Sequence, residues 1–305
     1  MDGARVLVTG GAGFIGSNLA NHLAAANDVI ALDDGYLGTP ANLDPAVEFV
    51  EASVLDDDLP TDVDVCFHLA ALSSGPMHEE NPRRGARINV EGFVNTVEKV
   101  RESGCETVVY ASTSSIYGDR TEPSPEDMAV EARTGYEASK LARERYGEYF
   151  ANAHGMAMAG MRFFAVYQGY GGAEGHKGGY ANLMAQFADW IADGQSPEIY
   201  GDGSHTRDFT HVEDVVRGLE LAADHRLTGI YNLGTGESHS ANELVARINE
   251  TLGTDVEPVY VENPIPEHMF VHDTMADPAK MRAATGWEPE IGFEEGVRRV
   301  CAQYR

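Results

Sequence analysis

Up to about residue 165 the chain alternates short, wholly apolar runs with longer stretches in which apolar positions recur every three or four residues. Arg5-Val6-Leu7-Val8-Thr9 reads as a buried strand, followed by a helix from about Gly13 to Ala26. Val29-Ile30-Ala31-Leu32 and Val47-Glu48-Phe49-Val50 are expected as the second and third strands, and Asp64 to Leu69 as the fourth. A long helix is predicted over roughly Arg87 to Ser103, then a fifth strand at Thr107 to Ala111, a helix from about Gly135 to Ala153, and a sixth strand from Met156 to Phe163. Strands that are apolar on both faces must be covered on both faces. Strands separated by helices imply right-handed βαβ units, so the pattern predicts an α/β fold with a doubly wound parallel sheet of the Rossmann type. In such a sheet the ligand crevice lies beyond the carboxyl ends of the strands.

After about residue 166 the pattern loosens. Gly- and Tyr-rich loops (Gly169-Tyr170-Gly171-Gly172 and Gly178-Gly179-Tyr180) alternate with short helices and strands, with no Pro/Ser-rich linker, repeat or low-complexity tract. Residues 1–165 are therefore expected to form the sheet domain. Residues 166–305 form a smaller α/β lobe packed directly on it, with some chain crossing between the two.

Composition narrows the partners. Among 305 residues, 49 acids face 22 bases, a formal net charge of −27. Such a field repels nucleic acid and anionic membranes, so neither is an expected partner. The bases comprise 18 Arg and only 4 Lys, and the acids are scattered along the chain. This suits a surface that stays hydrated in concentrated salt, although an ordinary acidic protein is the other reading. No run approaches the roughly 18 apolar residues of a membrane helix, and the first residues run straight into a strand with no room for a signal peptide. Cys66, Cys105 and Cys301 are too scattered for a disulfide framework or a metal site, and a reducing cytoplasm is expected.

Candidate chemistry begins at Thr9-Gly10-Gly11-Ala12-Gly13-Phe14-Ile15-Gly16, between the first strand and the first helix. Gly10 permits a tight turn, Gly13 lets backbone approach a pyrophosphate, and Gly16 lets the helix pack closely on the strand. The helix N-terminus offers unpaired N–H groups and a positive dipole end. Asp33 ends the second strand, twenty residues beyond Gly13, where a carboxylate accepts from the adenosine ribose hydroxyls; a turn-initiating Asp is the plainer reading. Asp33 would repel a 2′-phosphate, and Asp34-Gly35-Tyr36-Leu37-Gly38 supplies no cation to bind one. The cofactor expected is NAD.

In Tyr136-Glu137-Ala138-Ser139-Lys140, Tyr and Lys share one helical face. A phenol titrates near 10, and a neighbouring ammonium together with the positive nicotinamide of the expected NAD should stabilise its phenolate enough to make it a base near neutrality. Upstream, Ser112-Thr113-Ser114-Ser115 leaves the carboxyl end of the fifth strand, which makes Thr113 the candidate to hydrogen-bond a reacting hydroxyl.

Together with His68-Leu69-Ala70-Ala71, Asn89 and Gly201-Asp202-Gly203-Ser204-His205-Thr206-Arg207-Asp208-Phe209, these motifs resemble, in order and over essentially the whole chain, the extended short-chain dehydrogenases of the NAD-dependent epimerase/dehydratase family. The resemblance implies Thr113, Tyr136 and Lys140 as catalytic residues. It implies an NAD site of Gly10, Gly13, Phe14, Ile15, Gly16, Asp33, Asp34, Ser53, Val54, Leu69, Ala70, Ala71, Asn89, Tyr136, Lys140 and Phe163. It implies substrate contacts from Ser73, Thr113, Asn182, Leu183, Tyr200 and Arg207, with Tyr200 beside the nucleobase and Arg207 on the diphosphate. A homodimer through the helices near 87–103 and 135–153 is implied as well.

Within that family, dehydratases and decarboxylases carry acids just after the Thr, where this chain has Ser114 and Ser115. The expected function is therefore 4-epimerisation of a nucleotide sugar, of the UDP-glucose/UDP-galactose type. A dehydrogenase or reductase, a dehydratase and a non-catalytic NAD sensor are the rivals. Three departures stand out: Ala165 replaces a usual Asn, Gln168 a usual Gly, and Asn263 to His268 holds no second diphosphate-gripping Arg. His176-Lys177 is read as an exposed loop pair, with compensation for the missing donors as the other reading.

Overall fold

A computed structural model describes residues 1–305, apart from the side chain of His268. The first lobe runs β1 (Arg5–Thr9), α1 (Phe14–Leu23), β2 (Asp28–Asp33), β3 (Glu48–Glu51), β4 (Val65–His68), α2 (Gly75–Glu80), α3 (Pro82–Ala86), α4 (Gly92–Glu102), β5 (Thr107–Ala111), α5 (Gly135–His154) and β6 (Ala157–Phe163). Then follow β7 (Val166–Tyr167), α6 (Leu183–Ala192), β8 (Glu198–Tyr200), β9 (Thr206–Arg207), β10 (Thr210–His211), α7 (Val212–Asp224), β11 (Gly229–Leu233), β12 (His239–Ser240), α8 (Ala241–Leu252), β13 (Val259–Val261), α9 (Ala279–Thr285) and α10 (Phe293–Cys301).

The central sheet has seven parallel strands in the order β3-β2-β1-β4-β5-β6-β11. The predicted doubly wound α/β fold is the observed one, and its strand order reverses between β1 and β4, where the crevice opens. Alternation within β1 shows the layering. Val6 and Val8 face a core shared with α1 and α7, through Leu19, Val215 and Leu219. Leu7 faces the opposite core, shared with α4 and α5 through Phe93, Val97 and Phe150.

Six strands were expected in this sheet; the seventh, β11, lies beyond residue 165. It pairs with β6 from Gly229↔Ala159 to Leu233↔Phe163, and α7 leads into it. The second lobe has its own core of Tyr167, Phe187, Ile191, Leu244, Ile248, Phe293 and Val297, drawn from β7, α6, α8 and α10. The helix expected over Arg87 to Ser103 opens with a π-helical turn, Arg87–Glu91, before α4 begins. That turn rotates Asn89 into the interior, where it is fully buried.

Candidate active site

A cavity of about 840 Å³ opens beyond the carboxyl ends of β1, β2, β4 and β5 and is closed on its far side by the second lobe. Its floor is the glycine-rich turn. Gly10 has φ +67°, and a Cβ there would come within 2.7 Å of the Ala70 backbone nitrogen; a Cβ on Gly16 would meet the Gly10 carbonyl oxygen at 2.0 Å. Gly13 lines the cavity and caps α1 with no side-chain hydrogen bond, and α1 has no acid in its first turn. The first N–H groups of the helix are thus left for an anion, as a pyrophosphate requires.

At the other end of the floor, the Asp33 carboxylate accepts from the backbone N–H of Gly35 (2.9 Å) and Ala12 (3.2 Å) and lines the cavity beside Asp34. Burial raises its pKa, and the two N–H donors hold it partly back. These features fit a dinucleotide. Gly10, Gly13, Phe14, Ile15 and Gly16 line the end where its diphosphate would lie, and Asp33 the end where its ribose would. Arg84, unremarked in the sequence, reaches the same end from α3. It stacks 3.7 Å over the Tyr36 ring and pairs with Asp34 at 3.8 Å, so its charge is already engaged.

Thr113, Tyr136 and Lys140 line one wall together. Thr113 leaves the end of β5 and caps a 3₁₀ turn, accepting from Ser115 N at 3.2 Å and donating to Ser115 Oγ at 3.1 Å. Tyr136 and Lys140 stand one turn apart on α5, a helix started by the Thr134 hydroxyl on Glu137 N and ended by Gly155 at φ +71°. The Lys140 ammonium donates to the Ala111 carbonyl at 3.2 Å and lies 5.7 Å from the centre of the Tyr136 ring.

Within the protein itself, the groups that lower the Tyr136 phenol are the Thr113 hydroxyl and the Arg143 guanidinium rather than Lys140. Burial raises the Tyr136 pKa, with Thr113 and the Arg143 guanidinium pulling it back. Burial and Arg143 push Lys140 well below the usual lysine range. Arg143 is the residue the sequence concealed. An Arg on a long helix reads as a surface residue, yet this one is fully buried. It donates to the carbonyls of Asn89 (2.6 Å), Ala70 (2.7 Å) and Ala111 (3.4 Å), fastening together the strand ends beneath the wall. Below it, Arg162 makes a bidentate pair with Glu144 at 2.9 and 2.8 Å, and Ser112 donates to the same carboxylate at 2.5 Å.

Of the remaining expected residues, Val54, Leu69, Ala70, Ala71, Ser73, Phe163, Asn182, Leu183 and Arg207 line the cavity. Three expected positions do not. Ser53 closes a turn, with its N–H on Asp56 and its hydroxyl accepting from Leu55 N. Asn89 is spent beneath the wall on Leu72 and on Ser139. Tyr200 sits outside, 37% exposed on β8. Asn182 does reach the wall, but its amide caps α6 on Met184 N and donates to the carbonyls of Ala165 and Val166. Arg207 donates to the Thr206 and His272 carbonyls and makes no ion pair among the described residues, so its charge remains available to an anion. Lys177, read from the sequence as exposed, is half-buried, and it and His176 both line the cavity.

Residues 6–234 match the NAD dependent epimerase/dehydratase family. The chain is 34% identical over 315 residues to the UDP-glucose 4-epimerase of Mycolicibacterium smegmatis, covering 99% of this chain and 98% of that one. The UDP-N-acetylglucosamine 4-epimerase of Methanobrevibacter ruminantium, solved with UDP-N-acetylmuramic acid, superposes with a TM-score of 0.92 at 28% identity, covering 100% and 99% of the two chains. The Thermus thermophilus UDP-glucose 4-epimerase in complex with NAD gives 0.85 at 31% identity, with 98% of each chain covered. The chain thus belongs to the NAD dependent epimerase/dehydratase family, as an NAD-using enzyme of the extended short-chain dehydrogenase type.

Proposed function

We propose that the protein is a nucleotide-sugar 4-epimerase acting on a UDP-sugar of the UDP-glucose/UDP-galactose type. The observation that carries this reading is the composition of the wall around Thr113. Tyr136 and Lys140 are the titratable side chains beside it that remain free for a proton relay, and Ser114 and Ser115 stand where an elimination would need an acid. Glu137 also lines the cavity, but its carboxylate is committed to the backbone N–H (2.6 Å) and guanidinium (2.9 Å) of Arg133. Beside the dinucleotide that takes and returns the hydride, epimerisation needs only a base that takes the 4-hydroxyl proton and later returns it.

In this reading Tyr136 is that base, and Thr113 orients the hydroxyl toward it. Lys140, anchored on the Ala111 carbonyl one turn along α5, is the second proton-carrying group of the relay. NAD, when bound, supplies the hydride acceptor and donor for C4. Arg207, with its charge unpaired, holds the diphosphate of the sugar nucleotide, while Leu183 and Ser73 shape the rest of the wall. The 4-keto sugar must turn over before hydride comes back to the other face of C4 and the proton to its oxygen, which a wide cavity with small residues at 114, 115 and 165 permits.

The 34% identity to a UDP-glucose 4-epimerase over nearly the whole chain supports the sugar class. A homodimer through α4 and α5 belongs to the same proposal; Tyr146 (41% exposed) and Tyr149 (52% exposed) stand out from α5. So does a salt-rich cytoplasm, on the strength of the −27 charge. No helix is long and apolar enough to cross a membrane.

Incubation with UDP-glucose and NMR of the products tests the reading. UDP-galactose is expected at equilibrium with no net accumulation of NADH. A 6-deoxy-4-keto product, or stoichiometric NADH, would replace it with a dehydratase or a dehydrogenase.

A further inference from the structure

The 3₁₀ segment Gly175–Tyr180 belongs to the second lobe by sequence but lies across the first lobe's crevice. Its base is fixed by Glu174, whose fully buried carboxylate accepts from the backbone N–H of Gln168 (2.9 Å), Gly169 (3.0 Å) and Asn182 (2.6 Å). Next to that base, Gln168 and Asn18 of α1 exchange two amide hydrogen bonds, at 3.1 and 2.9 Å. The strap then touches both banks of the crevice. His176 Nδ1 meets Asn42 Nδ2 at 3.1 Å on the side beyond β2, and Tyr180 donates to Glu80 at 2.8 Å on the side beyond β4.

Between these two ties, the Lys177 ammonium lies 5.3 Å from the centre of the Phe14 ring, in the first turn of α1. The other three lysines all have partners: Lys99 the Asp57 carboxylate, Lys140 the Ala111 carbonyl, and Lys280 the Ile230 carbonyl. The Lys177 ammonium has neither a hydrogen bond nor an ion pair among the described residues. In a chain of net charge −27 with four lysines, a half-buried ammonium over a phosphate cradle marks a place where anionic charge is received.

We propose that Gly175–Tyr180 is a latch that keeps the dinucleotide resident in the first lobe, with Lys177 as the cation for its diphosphate. The glycine-rich turn itself carries no basic side chain, and the second lobe supplies what it lacks. Release of the dinucleotide then requires breaking the His176–Asn42 and Tyr180–Glu80 ties, so closure of the latch and retention of the cofactor are one event. The nucleotide sugar also carries a diphosphate, but Arg207 serves that end of the cavity while Phe14 belongs to the dinucleotide's cradle.

The test uses the full chain loaded with NAD. Exchange of bound NAD against a labelled pool is followed for the unaltered protein, Lys177→Gln, Lys177→Arg and Tyr180→Phe, alongside binding of UDP to each NAD-loaded protein. Lys177→Gln is expected to speed exchange about tenfold to a hundredfold, the effect of losing one charge-assisted contact. Tyr180→Phe should speed it severalfold, Lys177→Arg should stay within about threefold of the unaltered chain, and UDP affinity should change less than about twofold. Unchanged exchange in Lys177→Gln overturns the proposal. A loss as large in Lys177→Arg as in Lys177→Gln overturns the role of charge. A fall in UDP affinity that equals or exceeds the gain in NAD exchange assigns Lys177 to the other diphosphate, or to the fold of the lobe, and also overturns it.

Discussion

Tyr136 sits under opposing influences: burial raises its phenol, while Thr113 and the Arg143 cation lower it. The sign fixes a prediction. The base form is the deprotonated one, and a raised pKa leaves it scarce at neutral pH, so turnover should climb as pH rises through neutral into the alkaline range. Tyr136→Phe should abolish that climb and lower kcat by about 10²- to 10⁴-fold, with bound NAD retained; a pH–rate profile with NAD content measured in parallel checks both. The Thr-Tyr-Lys set was legible because a hydroxyl at a strand end and a Tyr-x-x-x-Lys spacing are local facts. Arg143 was not, because nothing local tells a helical Arg that clamps three carbonyls from one that points to water. Asn89 and Tyr200 lie off the cavity lining for a related reason: a family position gives an address along the chain, while a π-helical turn or a strand edge decides where the side chain goes.

At the level of elements, β5, α5 and β6 are tied under the wall by one buried ion pair. Glu144 takes both arms of Arg162 and the Ser112 hydroxyl, and Arg162 also reaches the Tyr117 hydroxyl at 2.8 Å. Removing one partner strands a buried guanidinium, so Glu144→Gln should cost about 3 kcal/mol in a urea unfolding midpoint. A loss under about 1 kcal/mol would mean that water reaches Arg162 and that the pair does not brace the wall. The strands of the first lobe were readable because a strand covered on both faces is a continuous apolar run. β11 escaped because Gly229-Ile230-Tyr231-Asn232-Leu233 is short, opens on a glycine and carries a polar Asn232 among its apolar residues. Asn232 is tolerated there because its amide is fully used, donating to the Ser124 and Asp277 carbonyls and accepting from Tyr117.

For the whole molecule, the charge of −27 sets how the fold depends on its solvent. Self-repulsion among surface carboxylates is unscreened in dilute buffer and is quenched when the Debye length falls to about 3 Å near 1 M salt. The melting temperature should therefore rise steadily from low to molar KCl, as calorimetry would show; a flat series would make the acidity incidental to salt. The order of the central sheet has a different consequence. Because β11 is made late in the chain and inserted beside β6, with α7 roofing one face of the first lobe, the two halves cannot be inherited, cut or swapped as separate modules. A nascent chain that has emerged only as far as residue 165 presents β6 as a bare edge beneath an unroofed apolar face. The first lobe must wait for a strand that begins only at Gly229 before it can close, and a ribosome that stalls between the two would leave a species primed to aggregate.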